Sequence, residues 1–370
     1  MGLTSKKVLL LAALLAVALF AVTVWFWPRL ARRSLPSVLG RVAALLTTQF
    51  SLICVLGLAA NYSFGFYASW ADLFGEDTAP GIVVNHTSGL SGDVKMLGTQ
   101  HVNVRGGASP RVGGQIQKVA IGGGGTGITS TAYVYLPPQY FQQPSRVFPA
   151  VLVLTGYPGS AEALYKKAKY PEIAAGQVRA GKAQPTVLVM MRPTVAPPRD
   201  TECTDVPGGP QAATYFTKDL PAALSSHYRI GAGARSWGVM GDSTGGYCAL
   251  KLAMRNPQAF SSAVGLSADY GAPKDATTGD LYGGSLDIRR QNDLIWRLQH
   301  LPQPPVNLLV TSSKKGERNY RNTMRFIGLV KPPVQLSSII LPSGGHNFTT
   351  WAREIPPALQ WLTGKLSTAA

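Results

Sequence analysis

Seven short apolar, β-branched-rich runs recur through the chain: Thr131 to Leu136, Ala150 to Leu154, Thr186 to Met190, Trp237 to Met240, Ser262 to Leu266, Val306 to Val310 and Gln335 to Leu341. Segments long enough for helices separate most of them, among them Thr214 to Ser226, Gly246 to Arg255 and Tyr320 to Val330. Buried strands alternating with helices predict a mostly parallel sheet covered on both faces, an α/β fold. Such sheets bind their ligands at the carboxyl ends of the strands, so chemistry is sought there. With 370 residues, 45% hydrophobic and 14% charged, the chain can bury a core; disordered, collagen-like and coiled-coil classes are excluded.

The run W-G-V-M leads directly into G-D-S-T-G-G, Gly241 to Gly246, and then into the helix-compatible Y-C-A-L-K-L-A-M. This is G-x-S-x-G between a strand and a helix, where glycines permit the sharp turn that exposes a serine hydroxyl. Ser243 is the candidate nucleophile. A hydroxyl needs a base, and His346, in L-P-S-G-G-H-N-F just beyond the last expected strand, is favoured over His300. His86, His101 and His227 precede the nucleophile and are read as surface or core polar residues. The imidazole needs a carboxylate partner. Glu317 is the only acid between Asp293 and Glu354 and follows a late strand, so it is preferred, with Asp269 as the alternative. The expected oxyanion hole combines the Thr244 amide with the Tyr157 amide in the loop Leu154 to Ser160. No Cys/His spacing suggests a metal, and no cofactor motif is present. The glycine run Gly122 to Gly127 lacks the G-K-[ST] of a phosphate loop and is read as a hairpin connection.

The segments S-T-A-Y-V-Y-L-P-P-Q-Y-F, V-F-P-A-V-L-V-L-T-G-Y-P-G-S, G-D-S-T-G-G and G-G-H-N-F-T-T-W resemble the esterase D type of α/β-hydrolase, a family that includes actinobacterial envelope mycolyltransferases. The resemblance runs from about Gln115 to Leu366. It implies the α/β-hydrolase fold, a Ser243, Glu317 and His346 triad, and cofactor-free hydrolysis or transfer of acyl groups on ester or lipid substrates of the envelope. Asp242 departs from the His or Leu often found before the nucleophile. Two apolar N-terminal segments depart from the usual cleaved signal. A non-catalytic envelope-binding protein on the same scaffold is the other reading.

Val8 to Trp27 is an uninterrupted apolar run whose roughly 20 residues match the roughly 30 Å hydrocarbon core of a bilayer. A cleaved signal peptide is the alternative; the length of the run, the lack of an A-x-A-like site and the W-F-W-P end favour a span. Val42 to about Asn61 is a second expected span, and Phe64, Phe66, Tyr67 and Trp70 read as an interfacial belt. Arg29, Arg32, Arg33 and Arg41 between the spans outnumber Lys6 and Lys7 before them. The positive-inside rule then predicts a cytoplasmic loop, both termini outside and an extracellular large domain. The expected organisation is a membrane anchor over 1–71, a connector over 72–112 and a hydrolase domain over 113–370. Net charge is +17, yet there is no run of five or six like charges and no nucleic-acid-binding module, so nucleic acid is not an expected partner. Cys203 and Cys248 either form a disulfide in an exported domain or remain two buried thiols.

Overall fold

The computed structural model describes residues 5–32, 34–64, 73, 92–102, 107, 109–197, 199–274 and 276–368. Phe66, Tyr67, Trp70 and His86 lie outside these residues. The chain divides into two compact units, 1–79 and 80–370.

The first unit is a pair of helices, α1 (Lys6–Phe26) and α2 (Leu35–Phe64). Both are long and apolar enough to cross a membrane, with mean hydropathy 2.8 and 2.0. Their apolar side chains point outward, Leu10 62% and Leu56 70% exposed, while the Thr23 and Thr48 hydroxyls meet at 2.9 Å between the helices. The second helix contains the expected span from Val42 to about Asn61 and begins before it, at Leu35, with Pro36 tolerated in its first turn.

The second unit is a nine-stranded sheet in the order β1-β2-β3-β5-β4-β6-β7-β8-β9. The strands are β1 (Val94–His101), β2 (Gln115–Gly122), β3 (Thr129–Leu136), β4 (Ala150–Leu154), β5 (Val187–Met191), β6 (Trp237–Asp242), β7 (Ser262–Leu266), β8 (Asn307–Lys315) and β9 (Gln335–Ser343). Pairings are antiparallel from β1 to β5 through β2 and β3, and parallel from β5 to β9. All seven expected strands are present. Their alternate residues divide between two cores: Leu152 and Leu154 of β4 face one, Val151 and Val153 the other. On the first face lie a helix over 212–227, here α3, and α4 (Thr244–Arg255); on the other lies α5 (Phe348–Gly364).

Two strands extend the expected pattern. β1 falls inside the segment expected as connector and pairs with β2 from Val94↔Ile121 to His101↔Gln115; its largely exposed pattern gave no apolar period to read. β8 runs five residues past Val310 because β9 continues beside it as far as Lys315↔Ser343, burying the polar side chains of Thr311, Ser312 and Ser313. The glycine run closes the β2–β3 hairpin, and its structure is held by one carboxylate. Asp219, within the π turn Tyr215–Asp219 of α3, accepts from Thr126 N at 2.8 Å, Thr126 Oγ1 at 2.6 Å and Gly125 N at 3.2 Å.

Cys203 and Cys248 are joined as a disulfide with their Cα atoms 5.6 Å apart, fastening the loop before α3 to helix α4, which follows Ser243. One turn along α4, the buried Lys251 ammonium donates to Glu202 O and, at 2.8 Å, to Thr204 Oγ1. Burial pushes this amine down to about 7 although the Glu202 charge opposes the shift. The closed loop spans a sequence separation of 45, and constraint of the unfolded chain by such a loop is worth about 4 kcal/mol. Thiol titration of the denatured, unreduced chain should therefore detect Cys54 alone, and all three cysteines only after reduction. Three reactive thiols before reduction would contradict the bridge.

Candidate active site

The strand β6 and helix α4 meet at Ser243, whose backbone takes φ 54 and ψ −122, a conformation strained for a residue with a Cβ. The surroundings enforce it. A Cβ on Gly245 would stand 2.4 Å from Leu154 O, and one on Gly241 2.5 Å from the Gly245 carbonyl, so the helix packs onto the ends of β4 and β6 only because both positions lack side chains. The turn lifts the Ser243 hydroxyl at the carboxyl edge of the parallel strands, while its amide donates to Leu266 O at 2.9 Å.

His346 Nε2 lies 2.9 Å from Ser243 Oγ. It stands in the segment between β9 and α5, where the Asn347 side chain caps the helix by accepting from Thr350 N at 3.1 Å. His346 Nδ1 faces Glu317 Oε2 at 3.4 Å, a long contact to a carboxylate whose side chain is 1% exposed. The imidazole also meets the Trp351 ring edge on, with centroids 5.2 Å apart. Burial works to lower the His346 pKa, but the Glu317 hydrogen bond and charge, with Asp242 and Asp269 behind them, outweigh it and raise the net value. The imidazolium that a base must become is thereby stabilised.

A second ring of groups fixes Glu317. Ser267 Oγ donates to Glu317 Oε1 at 2.8 Å and accepts from Trp351 Nε1 at 3.1 Å. Ser267 N donates at 3.0 Å to Thr311 Oγ1, which in turn donates to Glu354 Oε2 at 2.7 Å. Glu354 is fully buried on α5, and its carboxyl is pushed up to about 7 by burial and then by the Glu317 charge, against the pull of Thr311, Arg353 and His346. The upward shift favours its neutral form, which eases the repulsion between two carboxyl groups in this region. Ser267, Thr311 and Glu354 carry no motif; Trp351 alone was visible, as the end of G-G-H-N-F-T-T-W.

The two residues expected to hold the oxyanion also meet. Tyr157 N donates to Thr244 Oγ1 at 2.7 Å, and Thr244, as the first residue of α4, has an amide without an intrahelical acceptor. The Tyr157 amide is thus engaged by the Thr244 hydroxyl here, next to the Ser243 turn. Asp242 explains its departure from the family pattern: buried beneath the turn, its Oδ2 accepts from Gly156 N at 3.0 Å and pins the Tyr157 loop to the end of β6. Burial pushes this carboxyl up to about 6, while the Gly156 amide and the His346 charge pull it down.

The alternatives separate by position. His300 stacks on Trp296 and its Nδ1 contacts Trp296 O at 2.9 Å, at an exposed helix end outside the site. His227 packs against Tyr228 at the end of α3, and His101 is exposed on β1. Asp269 lies close enough to His346 and Glu317 for its pKa to feel both, with burial the largest influence raising it, but it makes no hydrogen bond to the imidazole among the described residues. Among those residues no group of three or more His, Cys, Asp or Glu is placed to hold a metal.

Ionised Glu354 adds negative charge behind Glu317 and favours protonated His346, the form that cannot accept a proton from Ser243. Glu354→Gln keeps the Thr311 hydrogen bond and removes that charge. The acid limb of kcat/KM should move to lower pH by about half a unit, with plateau activity within about threefold. An unmoved acid limb would show that Glu354 has no electrostatic effect on the base.

Comparison with known proteins gives the family. The esterase family profile matches residues 125–362. An uncharacterized protein of Corynebacterium glutamicum is 22% identical over 251 residues, covering 62% of this chain; the match spans 56% of that relative's length. Among solved structures, an S-formylglutathione hydrolase from Agrobacterium tumefaciens superposes with TM-score 0.59 at 16% identity, over 74% of this chain and all of that one. A ferulic acid esterase from Anaeromyces mucronatus has TM-score 0.52 at 13% identity over 68% and 92%. Fluorophosphonate-binding serine hydrolase F from Staphylococcus aureus has TM-score 0.51 at 16% identity over 74% and 99%. These likenesses show an α/β-hydrolase fold, and the profile match covers well over half of the sequence: the chain belongs to the esterase family.

Proposed function

We propose that this chain is a membrane-anchored serine esterase or acyltransferase that acts on acyl-ester or lipid substrates of the cell envelope through Ser243, His346 and Glu317. The observation that carries the reading is the Ser243 hydroxyl 2.9 Å from His346 Nε2, with a buried carboxylate on the other ring nitrogen. His346 Nε2 takes the Ser243 proton as Oγ attacks the acyl carbonyl, and Nδ1–H donates to Glu317 as the ring becomes cationic. The oxyanion is received by the Thr244 and Tyr157 amides once a χ1 rotation of Thr244 withdraws its hydroxyl from Tyr157 N. His346 then gives its proton to the departing alcohol, leaving an acyl group on Ser243 Oγ. Water, or an alcohol of the envelope, attacks the ester with His346 again as base, and Ser243 recovers its proton. No cofactor enters any step.

Two apolar helices with outward-pointing side chains support the anchor, and the arginines between them support a cytoplasmic loop with the catalytic domain outside. A disulfide-bonded Cys203–Cys248 pair is compatible with that compartment.

The test is turnover of a soluble p-nitrophenyl ester by detergent-solubilised full chain. Ser243→Ala should lower kcat by about 10³-fold or more, and Glu317→Gln by a large factor at unchanged KM. Turnover unaffected by Ser243→Ala would overturn the assignment. Product analysis with a polyol acceptor present separates hydrolysis from transfer.

A further inference from the structure

We propose that the exposed cationic edge formed by the end of β8, the helix Tyr320–Leu329 and the turn into β9 docks on the anionic phosphate surface of a phospholipid bilayer, presenting the Ser243 site to lipid-borne esters. The inference rests on the esterase reading above and names where its substrate lies.

The charge is uneven along the sequence. From Leu294 to Ala370 the sequence holds nine Lys or Arg residues and two acids, Glu317 and Glu354. Both acids are buried, so this part of the domain exposes positive charge alone. Lys314, Lys315, Arg318, Arg321, Arg325 and Lys331 are all exposed and succeed one another along the end of β8, the helix and the following turn. None of the six is in an ion pair among the described residues. Arg321 and Arg325 stand four apart on a helix whose Thr323 and Phe326 face the core, so like charges neighbour each other on the outward face. Such pairs repel, and a layer of counter-anions relieves the repulsion. Met324, 41% exposed between them, adds an apolar side chain of the kind that enters a headgroup region.

The edge is mechanically part of the site. Glu317 lies between Lys315 and Arg318, and Gly344 N, two residues before His346, donates to Lys315 O at 3.0 Å. A surface held by these cations is therefore held beside the triad. Two apolar helices long enough to cross a membrane, in the same chain, favour a bilayer over a soluble polyanion as the partner, because anchoring raises its effective concentration.

The experiment uses full chain reconstituted in vesicles of phosphatidylcholine alone or with phosphatidylglycerol, comparing a lipid-embedded fluorogenic ester with a soluble p-nitrophenyl ester. Anionic lipid should raise the embedded-to-soluble rate ratio about fivefold or more, and high salt should reverse the gain. The variant K314Q/R321Q/R325Q/K331Q should lose the gain while keeping soluble-ester turnover within about twofold, since surface electrostatics and not the triad is altered. A ratio indifferent to lipid charge, or a variant that keeps the gain, overturns the proposal. Acetylation of Lys314, Lys315 and Lys331 by a membrane-impermeant reagent provides a readout independent of catalysis. Protection in anionic vesicles supports docking even if no ester is turned over, which would count against the esterase reading alone. Protection by soluble polyphosphate but not by phosphatidylglycerol overturns the lipid assignment.

Discussion

The strained turn at Ser243 exists because two backbones come within a distance that no side chain permits. Gly245 abuts the carbonyls of Leu154 and Thr155, and Gly241 abuts Gly245 itself. The tight packing of β4, β6 and α4 therefore sets the position of Ser243, and the strain is held by a buried sheet rather than by the loop alone. His346 and Glu317 are brought to that point by the unusually long β8–β9 pair, whose final register joins Lys315 to Ser343. The disulfide and Lys251 hold the loop before α3 against the same helix, so several constraints converge on α4.

Electrostatically, the site buries Asp242, Glu317 and Glu354 and leaves Asp269 exposed beside them. Four carboxyl groups, Asp242, Asp269, Glu317 and Glu354, influence one imidazole. Burial raises three of them, and a neighbourhood in which not all need be ionised at once can support a cationic His346 without severe mutual repulsion. Asp242 has an additional structural task. By accepting from the Gly156 amide, it ties the loop that carries Tyr157 to the strand that leads into Ser243.

Much of this was legible in the sequence because it rests on local signals. The strands from β3 to β9 announce themselves as short apolar runs, and Ser243 by glycines at fixed offsets. His346 and Glu317 follow from their order along the chain. What escaped depends on partners distant in sequence. β1 is a largely exposed edge strand without apolar alternation, and the extra length of β8 depends on pairing with β9. Asp219 is recognised only when the hairpin it caps, more than ninety residues earlier, is beside it. Ser267, Thr311 and Glu354 are ordinary residues until the fold stacks them behind Glu317. The Thr244 hydroxyl engaging the Tyr157 amide is a side-chain orientation that no spacing encodes.

The most direct test of the triad is acid-quenched mass spectrometry of the full chain after brief exposure to a p-nitrophenyl ester. The account predicts a mass increase of one acyl group, mapped by peptide digestion to Ser243 and absent from Ser243→Ala. An acyl group on another residue, or a pre-steady-state burst of p-nitrophenol with no covalent species on the quenched chain, would contradict it.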